Sequence, residues 1–200
     1  TPVITGTPAS INATYGDGTT QLAPASASTG AYSYTSSAPS VASVSATGLI
    51  TIIGAGSAMI TITQAATANY NGASATVAVT VAKATPVITS SPAAINVTYG
   101  AGTTQLVPTS ASSGAYTYSS SATTVATVST SGLVTIIGAG TATITINQAG
   151  TANFNAASTT VAVSVAQATP VITSSPASIS ATYGAFSGKN TVRHWGAYGM

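Results

Sequence analysis

SAPSVASVSATGLITIIGAGSAMITITQA, residues 37–65, alternates where a helix would not. Ile60 and Ile62 are separated by Thr61 and followed by Thr63, so one face is apolar and the other hydroxylic. That period of two is the signature of a half-buried strand. Val41 and Val44 flank Ala42 and Ser43, and the one-residue slip marks a bend. Outward from this run the same period continues: Tyr32 and Tyr34 flank Ser33, and Val77, Val79 and Val81 alternate with Ala78, Thr80 and Ala82. Apolar residues at i, i+3, i+4 and i+7 never persist without a β-branched or Gly interruption. Turn residues separate the runs, among them Gly16-Asp17-Gly18, Ser28-Thr29-Gly30, Thr47-Gly48 and Asn69-Tyr70-Asn71-Gly72. Strands are therefore expected near 2–5, 10–15, 19–23, 31–36, 41–45, 49–53, 57–64 and 74–82. Gly54-Ala55-Gly56 has the GxG spacing of a nucleotide-binding loop, but that loop must lead into a helix. Here the strand-like SAMITIT follows, so the glycines read as a hairpin turn.

The run has a twin, SATTVATVSTSGLVTIIGAGTATITINQA, at residues 121–149. TPVIT begins at Thr1, Thr85 and Thr169, which sets a period of 84 residues. Residues 1–84 and 85–168 differ at 25 positions and agree at 59. A third copy starts at 169 and holds to Gly184, after which AFSGKNTVRHWGAYGM at 185–200 matches nothing earlier. The expected domains are therefore repeat 1 (1–84), repeat 2 (85–168), the initial strands of a truncated third repeat (169–184) and a divergent tail (185–200). Seven or eight short strands at this spacing form a Greek-key sandwich, so the fold class is all-β, in tandem. The joint Ala82-Lys83-Ala84-Thr85-Pro86 has no Gly/Ser spacer, and Pro86 fixes its own φ. A semi-rigid succession of domains is expected.

These residues also carry a resemblance. The pattern V-A-x-V-S-x-x-G-x-V/I-T, then a glycine turn, then I-T, then N-Y/F-N, resembles the bacterial immunoglobulin-like repeats of group 2 type found in intimin- and invasin-like surface proteins. It is carried by Val41, Ala42, Val44, Gly48, Thr51, Gly54, Gly56, Ile60, Asn69 and Tyr70, and by Val125, Ala126, Val128, Gly132, Thr135, Gly138, Gly140, Ile144, Asn153 and Phe154. The resemblance covers 1–168 fully and 169–184 in part. It implies immunoglobulin-like sandwiches and an extracellular or cell-surface setting. Its functions range over stalks, adhesin shafts, polysaccharide-associated modules and virion decorations, and fold alone does not choose among them.

Composition narrows the chemistry. Charged residues make up 2% of the chain and hydrophobic ones 44%. Asp17 is the one acidic side chain and His194 the one imidazole. Paired carboxylates for glycoside hydrolysis, a Ser-His-Asp constellation, a calcium cage and a zinc site all need more such groups than exist. The chain is expected to be no enzyme and to hold no cofactor or metal. Lys83, Lys189 and Arg193 form no basic stripe, so nucleic acid is not an expected partner. There is no cysteine. Leu49 to Ile62, the most apolar stretch, is interrupted by Thr51, Ser57 and Thr61, so no membrane insertion is expected. No signal peptide is visible at Thr1, which suits a mature product or a fragment of something longer.

Few residues remain as site candidates. Tyr32 and Tyr34, with Tyr116 and Tyr118, share a face at i, i+2 and offer core packing, surface cross-strand pairs or a platform for a sugar ring. Asn12-Ala13-Thr14 and Asn96-Val97-Thr98 match the glycosylation sequon at Asn12 and Asn96. Lys83 reads as a solvated strand end, since its counterpart is Gln167. The reading these residues favour is a non-catalytic structural or adhesive stalk of a bacterial surface or secreted protein. Its partners would be neighbouring repeats or identical subunits, and host or matrix glycans or proteins. Two alternatives stay open: a filament subunit joined by strand exchange through 169–184, and a carbohydrate-binding module.

Overall fold

The computed structural model describes residues 1–173, and among these there is no helix. The third-copy segment beyond residue 173 and the tail, with Lys189, Arg193 and His194, lie outside the described residues. Residues 1–168 form one compact unit that contains both repeats, and a second unit begins at Thr169.

Repeat 1 contains β1 (Ser10–Thr14), β2 (Thr19–Gln21), β3 (Tyr32–Ser36), β4 (Ala42–Val44), β5 (Leu49–Ile52), β6 (Gly56–Gln64) and β7 (Ala73–Ala82). Four strands make one sheet in the order β1-β7-β6-β3, and three make the other in the order β2-β5-β4. The long hairpin β6–β7 pairs Gly56 with Val81 and Gln64 with Ala73. Its register puts the even residues of β6 (Ala58, Ile60, Ile62, Gln64) and the odd residues of β7 (Val77, Val79, Val81) inside. Ala42 and Ile50 from the second sheet and Leu22 close the same core. Fully burying each Ile or Val side chain contributes about 1.5–3 kcal/mol, so this inward row carries most of a small sandwich's stability. The chain is thus a tandem of immunoglobulin-like β-sandwiches.

Repeat 2 contains β8 (Thr89–Ser91), β9 (Ala94–Thr98), β10 (Thr103–Gln105), β11 (Val107–Thr109), β12 (Tyr116–Ser120), β13 (Ala126–Val128), β14 (Leu133–Ile136), β15 (Gly140–Gln148) and β16 (Ala157–Ala166). Its sheets have the orders β12-β15-β16-β9 and β10-β14-β13, with β8 and β11 as a separate pair. Ile144, Ile146, Val161 and Val163 repeat the core of the first copy.

Two local expectations are corrected, and one pairing is new. Residues 2–5 form no strand; Thr5 makes only an isolated bridge to Ala25. In repeat 2 the same region lengthens into β8 and β11, displaced to 89–91 from the expected 86–89. The substitutions explain the contrast. Gly6 holds φ at +76°, outside the strand region, where repeat 2 has Ser90, and Ala23 and Ala25 become the β-branched Val107 and Thr109. Gly54-Ala55-Gly56 is not a hairpin turn either, because β5 and β6 lie in different sheets and are not paired. It carries the chain across the sandwich. A Cβ at Gly54 would sit 2.7 Å from the Ser40 carbonyl oxygen. Finally, β1 and β9 pair in parallel with the last strand of their own repeat, an arrangement that strand spacing alone does not reveal.

Candidate functional site

The most elaborate polar arrangement lies where the repeats meet. The path from Lys83 to Thr85 runs beside the loop Thr151–Asn155 of repeat 2. The Ala84 N–H donates to the Asn153 carbonyl at 3.0 Å, and the Asn155 N–H donates to the Ala84 carbonyl at 2.8 Å. These bonds make Ala84 and Phe154 a parallel bridge. The Asn155 amide nitrogen also reaches the Lys83 carbonyl at 3.3 Å and Thr85 Oγ1 at 3.1 Å. Across the joint, the Ala55 N–H donates to Asn153 Oδ1 at 2.9 Å. The Phe154 ring meets the Tyr15 ring edge to face, with centroids 5.3 Å apart and planes at 80°. That geometry aligns the positive edge of one ring with the negative face of the other. Lys83 is exposed, yet its ammonium donates to the Thr151 carbonyl at 2.7 Å. It is more than a solvated strand end: it ties one repeat to the next.

Each side of the joint is held from behind. The Thr151 N–H donates to the Phe154 carbonyl at 2.9 Å and closes the loop on itself. The strand end from which the loop springs is pinned by Gln148, which is 1% exposed. Its amide nitrogen donates to the carbonyls of Ser112 (2.8 Å) and Gly114 (3.0 Å), and its Oε1 accepts from Ser110 Oγ (2.7 Å). A buried amide left without these partners would cost about 1–3 kcal/mol, so the satisfied clamp keeps its segments in place. Gln64 makes the equivalent three bonds in repeat 1. The strand pattern had a signal for this pair, because Gln64 continues the inward parity of Ile60 and Ile62. On the other side of the joint, Gly54 admits the Asn153 side chain: a Cβ there would lie 3.3 Å from Oδ1.

The residues singled out from the sequence are placed elsewhere. Tyr32, Tyr34, Tyr116 and Tyr118 are half-buried and pack against the two cores. The Tyr34 ring lies over Gly48, which has φ +81° and no room for a Cβ, and Tyr118 lies likewise over Gly132. Burial, with a smaller contribution from the neighbouring Tyr32, pushes the Tyr34 phenol above its ordinary range; Tyr118 is raised in the same way beside Tyr116. Asn12 and Asn96 stand on the exposed faces of β1 and β9. Asp17 closes a turn, accepting the Thr14 N–H at 2.7 Å. Asp17 and Lys83 are the charged side chains among the described residues, so the joint is built from neutral hydrogen bonds and one ammonium.

At the far end of repeat 2, Tyr99, Ile137, Gly138, Ala139, Gln167 and Ala168 surround a hollow of about 420 Å³. These are the counterparts, 84 residues on, of the repeat 1 residues Tyr15, Ile53, Gly54, Ala55, Lys83 and Ala84.

The intimin immunoglobulin-like domain family model matches residues 17–67 and 101–151, together just over half of the chain. The Asn-aromatic-Asn loops lie just past both matched segments. Among solved structures, domains 1–6 of the surface layer protein SbsC are 23% identical at a TM-score of 0.38, with 70% of this chain and 20% of that one covered. This chain therefore spans only a fifth of that structure. Domains 4 and 5 of the S-layer protein SbsC are 22% identical at a TM-score of 0.36, covering 68% of this chain and 70% of that one. Human protocadherin-24 EC1-2 is 12% identical at a TM-score of 0.35, covering 84% and 99%. No curated protein sequence matches the chain at a significant level.

Proposed function

The chain belongs to the intimin immunoglobulin-like domain family, and from that premise we propose that it serves as a non-catalytic, semi-rigid spacer in the stalk of a bacterial cell-surface or secreted protein. The joint supports this reading most directly. A flexible tether would leave two sandwiches free to swing, whereas here Ala55 is hydrogen-bonded to Asn153, Ala84 to Asn153 and Asn155, and Tyr15 meets Phe154 edge to face. Inter-domain motion is the default unless the interface resists it, and each of these contacts must break for the repeats to bend. The sequence's single acidic side chain and single imidazole support the non-catalytic part of this reading, since proton transfer needs titratable groups.

The spacer reading is tested by measuring distance rather than binding. The chain has no cysteine, so Thr35→Cys and Ser119→Cys place one probe on an exposed strand position of each repeat. A narrow distribution of distances between paired spin labels is expected. Phe154→Ala in the same background should broaden it. A distribution already broad in the parent would overturn the reading.

A further inference from the structure

The joint between the repeats has two halves, and each half occurs once more, uncovered among the described residues. The acceptor half is Tyr15, Gly54, Ala55 and Ala84 in the joint, and Tyr99, Gly138, Ala139 and Ala168 at the far end of repeat 2. The inserting half is Thr151 to Asn155 in the joint, and Thr67 to Asn71 in repeat 1. Covering separates the two sets. Gly54 is buried and Ala55 half-buried, whereas Gly138 is half-buried and Ala139 exposed. Tyr15 is half-buried and Tyr99 is 53% exposed. Asn153 and Phe154 are half-buried, whereas Asn69 and Tyr70 are exposed.

We propose that the hollow at the far end of repeat 2 receives the Asn69-Tyr70-Asn71 loop of a second copy of this chain, so that copies associate head to tail through the geometry already present in the joint. The chemistry matches residue for residue. The Ala139 N–H stands where the Ala55 N–H donates to Asn153, and Asn69 supplies the same acceptor. The Ala168 backbone stands where Ala84 exchanges bonds with Asn153 and Asn155, and Asn69 and Asn71 repeat those residues. Tyr70 replaces Phe154 opposite Tyr99 and keeps the ring. Of the contacting residues, only Lys83→Gln167 and Phe154→Tyr70 differ between the two settings.

The inserting loop needs no partner to take its shape. With nothing docked on it among the described residues, the Thr67 N–H already donates to the Tyr70 carbonyl at 2.8 Å, as Thr151 does to Phe154 at 2.9 Å. A preformed loop avoids the entropic cost of ordering on contact. The contact is heterologous, using different surfaces on the two copies, so it propagates into open chains or closed rings instead of stopping at a symmetric dimer. Within one chain the linker supplies an effective concentration in the millimolar range, which separate copies lack; association is therefore expected only toward about 1 mM protein. This association goes beyond the spacer role and does not depend on it.

The test is a dilution series of the full chain, labelled with nitrogen-15, from about 1 mM to about 20 µM, a range that runs down from the effective concentration above. The amide signals of Tyr99, Ala139 and Ala168 should move together with those of Asn69, Tyr70 and Asn71, while Ala55 and Asn153 stay still. Tyr99→Ala, an exposed position whose loss leaves the core intact, should weaken the concentration dependence at least tenfold without moving the Ala55 signal. The proposal is overturned if the two sets do not move on dilution or move independently. It is equally overturned if the Ala139 signal ignores dilution but shifts when residues 169–200 are deleted, because the hollow would then be filled by the chain's own continuation.

Discussion

The Ala55–Asn153 joint and the Ala139 end of repeat 2 are nearly the same amino acids in two settings. In the first, Tyr15 meets an aromatic edge and the Ala55 N–H has a carboxamide oxygen. In the second, the equivalent tyrosine and amide face a hollow of about 420 Å³. Apart from Lys83, which becomes Gln167, the residues on this face are the same, and it is the neighbour that differs. A surface shaped to be covered is thus a property of each repeat, and the joint shows what covers it. Substitutions in matched pairs then separate what the sandwich needs for itself from what it needs from a neighbour.

The largest effects should fall in the cores and be the same in both copies. Ile60 and Ile144 are each 0% exposed at equivalent places in β6 and β15. Ile60→Ala and Ile144→Ala should each destabilise their repeat by about 2–5 kcal/mol through lost transfer energy and the cavity left behind. Urea unfolding followed by circular dichroism would measure both. If the two costs differ by more than the joint can account for, the repeats are not equivalent sandwiches and the comparison fails at its base.

Next come the aromatic residues, where the copies should part. Phe154→Ala removes the edge-to-face partner of Tyr15 and should cost about 1–2 kcal/mol in the two-repeat unit. Tyr70→Ala, the same change on the uncovered loop, should cost under about 0.5 kcal/mol, as surface changes do. Equal losses would mean that the loop stabilises its own repeat and that the neighbour adds nothing. Asn153→Ala sharpens the point further. It leaves the Ala55 N–H without its acceptor, at about 0.5–1.5 kcal/mol, whereas Asn69→Ala has no such bond to lose. Amide hydrogen exchange at Ala55 should quicken in Asn153→Ala and stay unchanged in Asn69→Ala.

That contrast also marks where sequence reading stops. The sandwich was legible because its causes are local: alternation in β6 and β7 places Ile60, Ile62, Val77 and Val79 on one face, and the 84-residue period repeats it. The buried Gln64 lies in the same parity, but a polar side chain does not register as core until its partners Ser26, Ser28 and Gly30 are in view. The joint was illegible for a different reason. Tyr15 and Phe154 are remote in sequence, and the identical pattern in repeat 1, Asn69-Tyr70-Asn71, forms no joint within the described residues. Periodicity shows that the loop recurs; it does not show which copy has a neighbour to meet. Gly54-Ala55-Gly56 is ambiguous in the same way, since a tight turn and a crossing between sheets use the same glycines.

The smallest effect is a control on the whole comparison, because it concerns tyrosines that belong to the repeats and not to the joint. Tyr34 and Tyr118 pack over Gly48 and Gly132, and burial raises both phenols above the ordinary value of 10.0. A group whose folded pKa lies above its unfolded one favours folding while it is protonated. The contribution is complete below pH 10 and is lost as pH rises through the folded values. Part of each ring is open to solvent, so the loss is modest. Stability at alkaline pH should therefore fall a little in the parent and less in Tyr34→Phe and Tyr118→Phe, each by the same amount, when urea midpoints are compared at neutral and alkaline pH. Phe154→Ala should leave that pH dependence untouched. Were it to change the alkaline behaviour of Tyr118, the joint would reach into the sandwich behind it, and the repeats would have to be treated as one cooperative body instead of two sandwiches sharing a fitted contact.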